Sequence, residues 1–317
     1  MTTVYDLSHG RARPVDSAEW PPGTPATGTS QWIRVVGAPR EELRRAIIAL
    51  RLPDEFTEAL QAEDAWSRVS AGTRTLVVVL PVLEDEDGPT HHLRVVCTPT
   101  TLVTAEEEAL SAIDRVVTDW DNTARPEATL PVLLVDVLEA AVSNGGVMYL
   151  SLRRRLDELA QAVEHDPLEV PPTALLTMKR RVAQLSMLWE GQSYCLIEIK
   201  RRRSHVSPSD HVRERLGDLV SDADRGLKLL AAMESRVRDL RLHHVHCLQE
   251  STNRRLNLLA MLSAIYLPPT LVAGIYGMNL QHIPMTQLRY GYLIVMAVMG
   301  ALVLGQLWYF RQRGWFR

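Results

Sequence analysis

Near the C-terminus the order Tyr276-Gly277-Met278-Asn279 sets a glycine, two backbone carbonyls and a carboxamide in succession. These are uncharged acceptors. The tetrapeptide ends an uncharged run from Leu256 to Met278, which at 23 residues exceeds the roughly 20 apolar residues that cross a bilayer as a helix. Polar backbone and an amide are thus placed where the chain leaves hydrocarbon, which is where a pore needs them. A second uncharged run, Tyr290 to Phe310, begins 11 residues after Asn279, so the two spans form a membrane hairpin. A second set of chemically able residues lies upstream. His243, His246, Cys247 and Glu250 are spaced i, i+3, i+4 and i+7, which puts all four on one helix face. All are zinc-competent types. Their register also continues an apolar stripe through His244 and Cys247, so the same spacing reads as packing.

Charge divides the chain sharply. All 38 acidic residues lie at or before Glu250, against 29 basic residues in the same stretch, a net of −9. The last 67 residues hold six arginines and no carboxylate. Arg254 and Arg255 precede the first span, Arg311, Arg313 and Arg317 follow the second, and the loop between holds only Arg289 and His282. The positive-inside rule therefore sets both ends and the large N-terminal part in the cytoplasm, with the loop outside. The N-terminus has no apolar h-region of a cleaved signal, so the expected location is the cell (inner) membrane, entered by two passes. Cys97, Cys195 and Cys247 match no disulfide framework or zinc spacing. No P-loop, Gly-x-Ser-x-Gly, His-Glu-x-x-His or dinucleotide fingerprint is present, which argues against an enzyme and against an ATP-driven pump. Nothing points to a nucleic-acid partner.

The elements that must position these residues follow from periodicity. Residues 1–30, rich in Pro, Gly, Ser and Thr, read as a flexible arm. Residues 31–125 read as an α/β domain. Its strands are Gln31–Gly37, Thr75–Leu83, His92–Thr98 and Thr101–Ala105, and its helical patterns are Arg40–Leu50, Asp54–Asp64 and Glu106–Trp120. Residues 126–206 read as a helical hairpin, Leu130–His165 and Leu175–Arg203, with Gly145-Gly146 loosening its first arm. Ser207 and Pro208 suit N-cap and N1 of the next helix. That helix runs to Met278, as a stalk over 207–255 and a first membrane span over 256–279. An outer loop, 280–289, a second span, 290–310, and a basic tail, 311–317, complete the chain. Leu216, Leu219, Ala223, Leu230, Met233, Val237 and Leu240 follow a heptad a/d pattern on the stalk, a stripe that the helical hairpin or identical copies of the chain must cover.

The segment Pro268-Pro269-Thr270-Leu271-Val272-Ala273-Gly274-Ile275 leading into Tyr276-Gly277-Met278-Asn279, with the second span and the tail Arg311-Gln312-Arg313-Gly314-Trp315, resembles the CorA family of divalent-cation channels. The resemblance extends back through Ser251-Thr252-Asn253, the stalk and the hairpin, and more loosely through the α/β domain. It implies a homopentameric funnel in which α/β domain and stalk face the cytoplasm, first spans line one pore, and second spans form an outer ring.

The same resemblance implies roles for particular residues. Gly277, Met278 and Asn279 would form the selectivity filter. Asn253, Leu259, Leu267, Thr270 and Gly274 would line the pore, with Leu259 and Leu267 as apolar rings able to gate by dewetting. Arg254, Arg255, Arg311 and Arg313 would form a basic collar. Regulatory Mg²⁺ would bind between subunits at Asp218, with Asp222 one turn on and Glu58 on the domain side. Mg²⁺ would be both transported and regulatory, with Co²⁺ or Ni²⁺ as passengers. Mg²⁺ dehydrates reluctantly, so amide and carbonyl dipoles must select a hydrated ion by size. The loop Leu280–Leu288 departs from the pattern, because many members carry glutamates there and this chain has none. The zinc-transporting ZntB branch likewise lacks an acidic loop, so Zn²⁺ is the alternative cargo, and a non-conducting metal sensor is the reading from outside transport.

Overall fold

The computed structural model describes residues 2–7, 10–15, 30–37, 67–72, 74–86, 88–125, 129–202, 209–278 and 289–313. The expected helices at Arg40–Leu50 and Asp54–Asp64 lie outside them. Two compact units are resolved, Met1–Arg241 and Leu242–Arg317.

The first unit is built on a seven-stranded mixed sheet. Its strands are β1 (Thr2–Asp6), β2 (Arg13–Val15), β3 (Gln31–Val36), β4 (Arg68–Ala71), β5 (Leu76–Leu83), β6 (Thr90–Cys97) and β7 (Thr101–Glu106). They lie in the order β2-β1-β3-β7-β6-β5-β4. Only β3 and β7 are parallel; the other neighbours run antiparallel. β5 is buried at every position, as its unbroken run of aliphatic residues requires of a strand covered on both faces. Its Leu76, Val78, Leu80 and Val82 alternate onto one face and join the main core. Thr98 closes the β6–β7 turn: its hydroxyl accepts from the Thr101 amide at 3.0 Å.

Five helices follow among the described residues: α1 (Ser111–Asn122), α2 (Leu130–His165), α3 (Pro172–Arg201), α4 (Asp210–Gly277) and α5 (Gly291–Gln312). The α/β class, the long helix and the apolar C-terminal helix stand as the sequence indicates. The stalk stripe is covered within the chain. Val212, Leu216 and Ala223 belong to the core that includes β5 and α2, and Leu230, Met233 and Val237 pack with Leu152, Leu156, Val182 and Leu185 of α2 and α3. Burying each such side chain stabilises by about 1.5–3 kcal/mol, so covering this stripe does not require a second copy of the chain.

Several local expectations are corrected. Residues 1–30 are not simply an arm. β1 and β2 extend the sheet, and Val4, Tyr5, Leu7 and Ala12 are buried. Gly10, at φ 77°, lets the chain turn so that its carbonyl accepts from the Arg125 amide at 3.0 Å, and Ala12 N–H donates to Trp120 O at 3.1 Å. β2, at the sheet edge, is only Arg-Pro-Val and fully exposed. Glu106 does not begin a helix; it ends β7, because its buried carboxylate is taken by Arg34. The two groups meet in a fork, Nε to Oε1 at 2.7 Å and Nη2 to Oε2 at 2.8 Å, while Arg34 Nη1 reaches Asp114 Oδ1 at 2.5 Å. Glu106 Oε2 also accepts from the Leu110 amide at 2.9 Å. Burial alone would lower the Arg34 pKa, but the hydrogen bonds to Glu106 and Asp114 outweigh it and raise it, so the guanidinium stays charged in its buried position.

At the start of α4 the cap is Ser209, whose Oγ accepts from the Val212 amide at 3.3 Å; Ser207 and Pro208 lie outside the described residues. Gly145-Gly146 does not loosen α2. A Cβ at Gly145 would stand 2.1 Å from Trp189 Nε1, and one at Gly226 of α4 2.5 Å from Trp189 Cζ3. The indole of α3 is held between two glycines, which lets three helices approach closely. Lastly, among the described residues three helices rather than two are long and apolar enough to cross a membrane, the third being α2. Half of its apolar window is buried inside the first unit, whereas no residue in the window of α4 is fully buried, so the same composition serves two settings.

Candidate functional site

In the second unit, the part of α4 beyond Leu242 has two distinct faces. Met261, Ala264, Ile265, Pro268, Pro269, Val272 and Tyr276 are partly covered. At 3.6 residues per turn they fall within an arc of about 140°. This arc faces α5: Tyr276 and Ala273 share a cavity of about 440 Å³ with Gly291, Tyr292 and Met299. Asn253, Leu259, Leu267, Thr270, Gly274 and Met278 are all exposed, and they fall within a separate arc of about 120° on the other side. Leu267, Thr270, Gly274 and Met278 line one open groove of about 650 Å³, together with Ser263 and Tyr266. Gly277 stands at the boundary and lines the cavity shared with α5. Asn279 lies outside the described residues.

The open stripe is apolar with few free donors. Thr270 Oγ1 donates to Tyr266 O at 2.7 Å and Ser263 Oγ to Leu259 O at 2.9 Å, the back-bonding usual for hydroxyls inside helices. Pro268 and Pro269 interrupt the helix's own hydrogen bonding on the opposite, covered side. Neither has an N–H to give, so the carbonyls of Ala264 and Ile265 lose their intrahelical donors. At Gly274 a Cβ would meet nothing within 4 Å, so the groove is open there. Arg254 and Arg255 are exposed at the start of this segment, Arg254 donating to Glu250 Oε1 at 2.6 Å. At the other end of the hairpin Arg313 lies 5.6 Å from the Tyr309 ring centroid, with Arg311 exposed one turn-half before it.

In the first unit, Asp218 and Asp222 are both exposed on α4. Asp222 stands 3.6 Å from Arg225, the ordinary setting of a solvated helix acid. Glu58 lies outside the described residues. No three His, Cys, Asp or Glu side chains converge on a metal position among the described residues. The structure thus brings Leu267, Thr270, Gly274 and Met278 to one surface, and does not join Asp218 and Asp222 to a third ligand.

The polar constellation that sequence reading missed is centred on Asp136 of α2. Its Oδ2 accepts from Trp120 Nε1 at 2.7 Å and Arg125 Nη1 at 2.6 Å, and its Oδ1 pairs with Arg215 Nη2 at 2.8 Å. Arg215 also reaches Glu139, and Arg125 reaches Asp119. Burial works to lower the Arg215 pKa, but hydrogen bonds to Glu139 and Asp136 raise it overall. This hub ties α1, α2 and α4 together. Its one legible signal was a lone Asp within the apolar start of α2.

Comparison with known proteins bears on what this arrangement is. A family model described as CorA-like Mg²⁺ transporter protein matches residues 28–312. The chain is 26% identical over 274 residues to the zinc transport protein ZntB of Pectobacterium atrosepticum, covering 84% of this chain and 82% of that one. Among solved structures, it is similar to the CorA magnesium transporter of Methanocaldococcus jannaschii, with a TM-score of 0.82 at 19% identity over 99% of this chain and 98% of the other. It is also similar to the full-length CmaX protein, with a TM-score of 0.81 at 20% identity over 99% and 97% of the two chains. The fold is therefore shared from the first strands to the last helix, and with the family match spanning most of its length this chain belongs to the CorA-like family.

Proposed function

We propose that this chain is one subunit of a homopentameric channel in the cell membrane that conducts hydrated divalent cations, Mg²⁺ foremost, with Co²⁺ or Ni²⁺ as passengers. The observation that carries the reading is the uncharged, exposed stripe of α4, Asn253 to Met278, set apart from the face that meets α5. A lone hairpin has no interior through which an ion can pass, so such a stripe becomes a conduit only when copies of it surround an axis. Leu259 and Leu267 would then ring the conduit with side chains that water leaves readily. Gly277, Met278 and Asn279 would ring its outer end with dipoles that hold the ion through its water. With no acid after Glu250, nothing in such a ring binds a bare cation tightly, which suits fast release.

Closure would follow binding of cytosolic Mg²⁺ between subunits at Asp218, Asp222 and Glu58. Exposed carboxylates at Asp218 and Asp222, with no third ligand among the described residues, suit a site that a neighbour completes. Both ends of the chain would face the cytoplasm, with the basic collar Arg254, Arg255, Arg311 and Arg313 at the inner mouth.

A second reading, zinc transport, is favoured by the ZntB relative, whose likeness covers 84% of the chain. Flux into liposomes separates the two. Wild type should pass Mg²⁺ and lose that flux in Asn279→Ala. Zn²⁺ flux with Mg²⁺ inert would transfer the assignment to the second reading, and wild type passing neither ion would end both. Asp218→Lys should keep Mg²⁺ flux open at millimolar Mg²⁺; closure unchanged from wild type would remove Asp218 from the gate.

A further inference from the structure

We infer that His243 and Cys247 form a chelating pair for a borderline divalent ion such as Zn²⁺ or Co²⁺, outside the conduit and distinct from Asp218. Both residues belong to the second unit and lie one helical turn apart. Cys247 Sγ stands 3.7 Å from His243 Nε2 and 4.0 Å from Nδ1. A tetrahedral zinc with its sulfur at about 2.3 Å and its nitrogen at about 2.05 Å sets those two donors about 3.6 Å apart. The nitrogen–sulfur separation is close to that bite, but the nearly equal distances to both ring nitrogens set the sulfur off either in-plane lone pair, so binding requires the exposed imidazole to turn about its side-chain torsions. His243 is exposed and Cys247 half-exposed, which leaves the outer positions of an ion open to water. The packing explanation of this register belongs to His244, which is 1% exposed, and does not extend to His243.

The neighbouring candidates do not compete for the pair. Glu250 is held by Arg254 at 2.6 Å. No third His, Cys, Asp or Glu completes a cluster among the described residues, so solvent fills the remaining coordination and the ion exchanges readily. Donor chemistry sets the selectivity. A thiolate and an imidazole suit zinc, cobalt and nickel, whereas Mg²⁺ requires oxygen ligands. The pair would therefore read borderline metal against a background of Mg²⁺, whichever ion the channel conducts. On binding, the Cys247 S–H bond breaks, a sulfur–metal bond forms, and one proton passes to the buffer. Cys97 and Cys195 supply no competing thiolate: both are buried, at 1% and 0% exposure.

The test uses full-length protein in detergent and no flux measurement, so it stands or falls apart from the transport reading. Addition of Co²⁺ should produce a near-ultraviolet thiolate-to-cobalt band that Zn²⁺ displaces and excess Mg²⁺ does not. Cys247→Ser should abolish the band. His243→Ala should weaken cobalt binding by about 100-fold, since the second ligation is then no longer intramolecular. Zn²⁺ should also shield Cys247 from alkylation in wild type and not in His243→Ala. Absence of the band, its survival in Cys247→Ser, or equal zinc protection with and without His243 would each overturn the assignment.

Discussion

Gly145→Ala should destabilise the protein although alanine is the better helix residue. The new methyl would lie 2.1 Å from Trp189 Nε1 and 2.8 Å from Cε2. Ordinary contact lies beyond 3.4 Å, so the indole must retreat by more than 1 Å. It has nowhere to go, because its far edge already fits against Gly226, where even a methyl would be 2.5 Å away. Overpacking of this kind costs about 1–3 kcal/mol. The gain in helix propensity returns about 1 kcal/mol, leaving a net loss of up to about 2 kcal/mol. At about 2–4 °C per kcal/mol for a unit of this size, the unfolding midpoint should fall by several degrees.

The neighbouring glycine supplies the control. A Cβ at Gly146 meets nothing within 4 Å, so Gly146→Ala should raise the midpoint through propensity alone. The assay is thermal unfolding of the detergent-solubilised full chain, all variants scanned at one rate. Trp189→Leu should reverse the sign of Gly145→Ala when the two are combined, since the blocking ring is gone. If Gly145→Ala proves as stable as Gly146→Ala in the wild-type background, the account of Trp189 as a wedged ring is wrong.

Further outcomes follow from buried polar groups in the same unit. Glu106→Ala leaves the Arg34 guanidinium, whose side chain is 9% exposed, without its forked partner, and should cost about 3–5 kcal/mol in the same assay; a loss under about 1 kcal/mol would mean that Asp114 or water replaces it. Burial pushes the Cys97 and Cys195 thiols up from 9.0 to about 12. Below pH 9 both folded and unfolded chains keep these protons, so stability is fully present. Between pH 9 and 12 only the unfolded chain releases them, and stability should fall by about 1.4 kcal/mol per pH unit for each thiol. Cys97→Ala/Cys195→Ala should flatten that alkaline limb, and an unchanged limb would locate the loss elsewhere. At pH 8 the native protein should take up one equivalent of alkylating reagent, at Cys247; labelling of Cys97 or Cys195 before unfolding would contradict their burial.

What sequence reading recovered and what it missed have separable causes. α2 to α5 were legible because their periods persist over 22 to 68 residues, far beyond accidental alternation. β5 was legible as an aliphatic run, and β6 and β7 as strands around the turn at Pro99. β4 was missed because four residues carry too little pattern, and β1 and β2 because the Pro, Gly and Ser around them outweigh a short alternation in composition. Glu106 was misassigned because its environment is made by Arg34, 72 residues away. Pairings over that distance leave no local trace. The stripe of Leu259, Leu267, Thr270 and Gly274 was singled out only through the family resemblance, and helical spacing is consistent with its residues sharing one face. That this face turns away from α5 is a packing fact that spacing does not hold.

The short outer strand β2 bears on how copies of this chain can meet without aggregating. An open sheet edge is a template onto which other strands add. Here the edge is Arg13-Pro14-Val15, paired to β1 through Pro14 opposite Tyr5. Proline has no amide hydrogen to offer and arginine resists dehydration, so this edge is a poor acceptor for another strand. The opposite edge, β4, is four residues long. Sheet-to-sheet polymerisation is thereby disfavoured at both ends of the described sheet, although the same chain carries helices apolar enough to cross a membrane.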